Sequence, residues 1–71
     1  MRIHEFNALP LSERSKLVFG DGKLIGISKE YTVQKEFHFI LNDIRINVVY
    51  DKVRKIVMDV KAVERSMDRK V

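Results

Sequence analysis

Between residues 23 and 62 apolar side chains recur at every second position, and the set changes parity once. Ile25, Ile27, Tyr31, Val33, Phe37, Phe39 and Leu41 hold odd positions; after Asn42-Asp43, Ile44, Ile46, Val48 and Tyr50 hold even ones. Past a second polar turn the set stays even, with Ile56, Met58, Val60 and Ala62. A period of two, rich in β-branched and aromatic residues, specifies strands with one buried face. The parity change predicts a two-residue hairpin loop at Asn42-Asp43, with Leu41 opposite Ile44, Phe39 opposite Ile46 and Phe37 opposite Val48. A slip of one residue would turn that whole set to water, so the register is strongly specified. Unchanged parity at the next turn predicts an odd loop, residues 52–54 or 51–55. Val48 then faces Met58, and Ile46 faces Val60.

A helix is expected ahead of the strands. Pro10 suits a first helical position, where its missing N–H costs nothing, and it pushes Leu9 toward extended geometry. Ser12 and Glu13 then fall in the first turn, where a carboxylate meets the positive helix end. The predicted helix covers residues 10–19, with Leu17, Val18 and Phe19 buried beside Phe6 and Leu9. Gly20-Asp21-Gly22 stops it, glycine being free to take positive φ. Strands are predicted at 23–31, 32–41, 44–50 and 55–62. In the tail, 63–71, the helical spacing of Val60, Val63, Met67 and Val71 suggests a short second helix, with a frayed charged end as the alternative. The reading is a single α+β domain over residues 1–71: a helix, then an antiparallel meander of three or four strands.

Seventy-one residues leave room for one domain, and 45% apolar with 34% charged residues is ordinary globular composition. With no cysteine, disulfides and thiolate sites are excluded. No apolar run approaches the roughly 18 residues of a membrane span, and the first residues lack a secretory signal's apolar stretch. A cytoplasmic protein without a membrane association is expected. The net charge of +4 is spread evenly along the chain. Acidic Asp51, Glu64 and Asp68 dilute the local groups Lys52, Arg54, Lys55 and Arg65, Arg69, Lys70, so a solvated mixed-charge surface is the simpler reading.

The predicted registers also order the opposite, outward face into rows: Glu36, Val49, Val57; His38, Asn47, Asp59; and Ile40, Arg45, Lys61. Ile40, Val49 and Val57 lie close together there, and one short helix cannot cover both faces of a sheet. Chains this small leave little stability in surplus. Self-association through Ile40, Val49 and Val57, most simply as a two-fold dimer, is therefore expected. The simpler alternatives are scattered surface apolar residues, or a C-terminal segment folded over them.

Signs of catalysis are weak. His38, Asn47 and Asp59 would form a polar row able to bind an anion or metal, or to supply a base, if a pocket enclosed them; a flat sheet supplies none. His4 stands alone, so no metal or cofactor is expected. Gly20-Asp21-Gly22-Lys23 closes a helix, whereas a phosphate loop opens one. Ser12 and Ser15 have no histidine near them in sequence to act as base. A stacking platform for single-stranded nucleic acid would need Phe37 and Phe39 uncovered, and both fall on the core face. The preferred function is a non-catalytic interaction protein, acting as a homo-oligomer on a further protein partner. The second reading is a binder of nucleic acid or a phosphorylated ligand through Arg45, Lys52, Arg54, Lys55 and Lys61. Arg45 facing Lys61 is unfavourable unless an anion lies between them. An enzyme with a site between subunits, around His38 and Asp59, ranks third.

The run Phe6, Leu9-Pro10, Glu13-Arg14 and Val18, a glycine turn, then strands ending in Val48-Val49-Tyr50-Asp51, resembles small single-domain bacterial and phage proteins of unknown function. The likeness spans about residues 6 to 62 and consists of packing residues. It implies a helix-plus-meander fold and no activity.

Overall fold

The structure, a computed structural model, describes residues 2–63. Two helices, α1 (Ile3–Ala8) and α2 (Leu11–Asp21), precede four strands, β1 (Lys23–Glu30), β2 (Gln34–Leu41), β3 (Ile44–Asp51) and β4 (Ile56–Val63). The strands form one antiparallel sheet in chain order, the α+β meander expected from the alternation. The predicted C-terminal helix lies outside the described residues, apart from Val63, which ends β4.

Sequence periodicity missed α1, whose six residues are too few to show a pattern. Glu5 accepts a hydrogen bond from the Arg2 backbone N–H at 2.8 Å, which holds its first turn. Pro10 is the N-cap of α2, with extended φ −60° and ψ 154°, and α2 runs on through Gly20 and Asp21. Gly22 then ends it, at φ −76° and ψ 157°. No glycine takes positive φ among the described residues, so the expected reason for this stop is wrong. Gly22 is needed for close approach: a Cβ there would lie 2.5 Å from the Val18 carbonyl oxygen.

The β2–β3 hairpin has the predicted register throughout, with Leu41 opposite Ile44 and Phe37 opposite Val48. Its loop residues Asn42 and Asp43 take φ of 49° and 68°. Two successive left-handed residues make a type I′ turn, whose twist matches that of the strands it joins.

The β3–β4 register differs from expectation by two residues: Val48 faces Val60, and Ile46 faces Ala62. Parity counts only odd against even, and here an even loop plus one bulge does the work of an odd loop. Asp51 pairs with Ile56 and Tyr50 with Val57, and the ladder then skips Met58 before Val49 meets Asp59. In the turn, Asp51 Oδ1 accepts from the backbone N–H groups of Val53 and Arg54, at 2.9 and 3.0 Å. Lys55 closes it in the left-handed region, at φ 62°. Two further irregularities interrupt β1, at Ile25 and Ser28. They reset its alternation, so that Leu24 faces Phe39 and Ile27 faces Phe37, in place of the predicted inward pair Ile25 and Ile27.

The core is the helix side of β2, β3 and β4. Phe6 and Val18 are buried there with Leu41, Ile44, Ile46, Val48, Val60 and Ala62. Phe19, predicted to be buried, is 53% exposed. A side-chain clamp fixes α1 to the sheet: Asn7 Nδ2 donates to the Ala62 carbonyl at 3.2 Å, and Asn7 Oδ1 accepts from the Ala62 N–H at 2.8 Å. Arg14 Nη1 donates to the Asn7 carbonyl at 3.3 Å, tying α2 to the same point. Asn7→Ala leaves both Ala62 groups without these partners in a part-buried place. It should lower stability by about 1–2 kcal/mol in urea denaturation at fixed protein concentration. A loss within 0.3 kcal/mol, on the order of the usual measurement scatter, would show that the clamp is dispensable.

Candidate functional site

Two helices of six and eleven residues are too small to roof four strands. α1 packs on β4, and α2 reaches β2 and β4. Among the described residues, the rest of the helix side stays open toward β1 and toward the turn end of β3 and β4. An apolar cavity of about 320 Å³ lies there. Its walls are Phe19 of α2, Leu24 of β1, Phe37 and Phe39 of β2, Val48 and Tyr50 of β3, and Val57 of β4. Phe19 meets Phe39 edge to face, centroids 5.6 Å apart, and so forms the boundary between roofed core and open cavity. Leu24, in the wall, is 53% exposed, and Ile27, opposite the wall residue Phe37, is 51% exposed.

The open end carries charge. Glu30 pairs with Lys35 across β1 and β2, and Lys35 pairs with Tyr50 across β2 and β3. Lys35 Nζ stands 5.6 Å from the Phe37 ring centroid, over a wall of the cavity. Glu30 Oε2 lies 3.1 Å from Lys52 Nζ and 3.8 Å from Lys35 Nζ. The hydrogen bond from Lys52, then the charge of Lys35, hold the Glu30 carboxyl below its usual range. A depressed carboxylate contributes above its unfolded pKa and loses that contribution as pH falls through the folded one. This cluster is therefore intact at neutral pH and is released only in acid. Lys52 also donates to the Tyr31 carbonyl at 2.9 Å, joining the β1–β2 loop to the β3–β4 turn.

The outward face differs from the predicted rows because of the β4 register. Its rows are Glu36, Val49, Asp59; His38, Asn47, Lys61; and Ile40, Arg45, Val63. Val57 is not with Ile40 and Val49: the bulge turns it to the helix side, opposite Tyr50 and into the cavity wall. Ile56, opposite Asp51, takes its place outward and is 49% exposed. Asp59 is out of the His38–Asn47 row, and Asn47 Nδ2 donates to Glu36 Oε1 at 3.2 Å. Arg45 faces Val63, so the like-charge pair with Lys61 that favoured an anion is not formed. Of the other basic candidates, Lys52 is bonded to Glu30, Arg54 lies 3.7 Å from Asp51, and Lys55 is a turn residue. The five do not make one patch.

The cavity was hidden in the sequence because Phe19, Phe37, Phe39, Val48 and Tyr50 read as core while Val57 read as outward. The available signal was a shortage: the helical segments hold too few apolar residues to face every inward strand position. No helix among the described residues is long and apolar enough to cross a membrane. Comparison with protein-family models, curated proteins and solved structures finds no match to this chain, so the resemblance read from sequence brings no family with it.

Proposed function

We propose that this chain is a non-catalytic interaction protein acting as a homo-oligomer, in which two copies meet through the outward face of the sheet. The observation that carries this reading is a sheet face with apolar residues and, among the described residues, no roof. The core elements all lie on the opposite side, while Ile40, Val49, Ile56 and Val63 point outward. Four eight-residue strands span roughly 19 by 27 Å, about 500 Å² of face. Two such faces bury on the order of 1,000 Å², the lower limit for a specific interface. Lys29, Arg45 and Lys61 are interspersed there with Glu36 and Asp59, and mixed signs allow a two-fold contact to complement itself.

Gel filtration with light scattering tests this reading. A dimer mass is expected for the wild type, and a folded monomer for the double variant Ile40→Asp, Val49→Asp. An unchanged mass in that variant would exclude this face. With two tyrosines and no tryptophan the chain absorbs weakly. Excess absorbance near 260 nm across the peak would instead favour a nucleic-acid partner.

A further inference from the structure

We infer that the helix-side cavity is a binding site for a single-chain amphiphile with an anionic head, in size a medium-chain carboxylate. The walls present only apolar surface, so the body of the ligand must be aliphatic or aromatic. At roughly 30 Å³ per water-sized group, the 320 Å³ cavity holds about ten non-hydrogen atoms. The mouth selects the head group. Lys35 and Lys52 both face one carboxylate, that of Glu30, and this leaves an excess of positive charge beside the opening. Lys35, already positioned over the Phe37 ring, sets an ammonium beside the apolar wall. A chain seated between Phe19, Leu24 and Val57 would bring its carboxylate to Lys35, and would cover Phe19 and Leu24, which are both half-exposed. This site is independent of the outward face, so failure of either proposal leaves the other standing.

Amide NMR titration with decanoate, 1-decanol and decyltrimethylammonium provides the test. Decanoate should bind saturably, with a dissociation constant on the order of 100 µM and shifts centred on Phe37, Tyr50 and Val57. Decanol should bind about fivefold more weakly, and the cationic amphiphile more weakly still, as loss of one partly exposed charge contact implies. Lys35→Gln should weaken decanoate about fivefold and leave decanol unchanged. Val57→Phe fills the cavity and should abolish both, with the amide spectrum reporting that the variant is folded. Absence of saturable decanoate shifts up to 1 mM, on the order of ten times the expected constant, would overturn the site, as would shifts confined to the outward face. Equal affinity for acid and alcohol that ignores Lys35→Gln would overturn the anionic specificity. Cosedimentation of the protein with phosphatidylglycerol vesicles would assign the patch to a bilayer surface and refute a free ligand.

Discussion

Phe6→Ala is expected to unfold most of the protein at room temperature. Phe6 is 0% exposed and belongs to the cluster that joins α1 to Val18, Ile46, Val48, Val60 and Ala62. Truncating a buried phenylalanine costs about 3–5 kcal/mol, part in lost transfer energy and part in the cavity left behind. A domain of this size holds about 3–5 kcal/mol in all, so the variant has little or nothing left. Phe6→Leu keeps most of the volume and should cost roughly 1.5 kcal/mol while preserving the fold. Far-ultraviolet circular dichroism and urea titration would decide. A cooperative Phe6→Ala transition shifted by less than about 1 kcal/mol, well under the usual core-cavity range, would mean that α1 does not dock as described.

Alanine at two glycines only two residues apart should act in opposite directions. At Gly22 the new Cβ would sit 2.5 Å from the Val18 carbonyl oxygen, which also accepts the Gly22 N–H at 2.8 Å. The obstructing atom is backbone, so the end of α2 must shift. The expected loss is about 3 kcal/mol, the upper part of the usual range for overpacking. Gly20 lies inside α2 with nothing within 4 Å of its ideal Cβ. Gly20→Ala should therefore stabilise by roughly 0.5–1 kcal/mol through helix propensity. Thermal denaturation of the pair checks both signs at once; a loss at both positions, or at neither, would contradict this account of the helix stop.

These residues also mark what could be read without coordinates. The β2–β3 register was legible because Asn42-Asp43 is a strong two-residue turn and the parity change admits one pairing. The β3–β4 register was not, since parity cannot distinguish an odd loop from an even loop with a bulge at Met58. That ambiguity carried Val57 to the wrong face and placed Lys61 opposite Arg45. In β1 the insertions at Ile25 and Ser28 reset the alternation twice, so counting by two failed within a single strand. Gly20-Asp21-Gly22 reads as the helix stop through conformational freedom, whereas the helix continues to Asp21 and only Gly22 ends it, where the need is space. The cavity escaped because pattern shows which side chains point inward, and only packing shows how many of them are roofed.

The clamp between Asn7 and Ala62 spans 55 residues, whereas every strand pairs with its neighbour in the chain. The three hairpins can zip locally and quickly, each closing only a short loop. The helices cannot finish with them. During synthesis α1 leaves the ribosome before any strand, yet its seat on β4 is the last part of the described chain to be made. Phe6 therefore cannot complete its burial until nearly the whole meander has been translated, and a chain cut short before β4 would lack the strand on which its first-made helix packs.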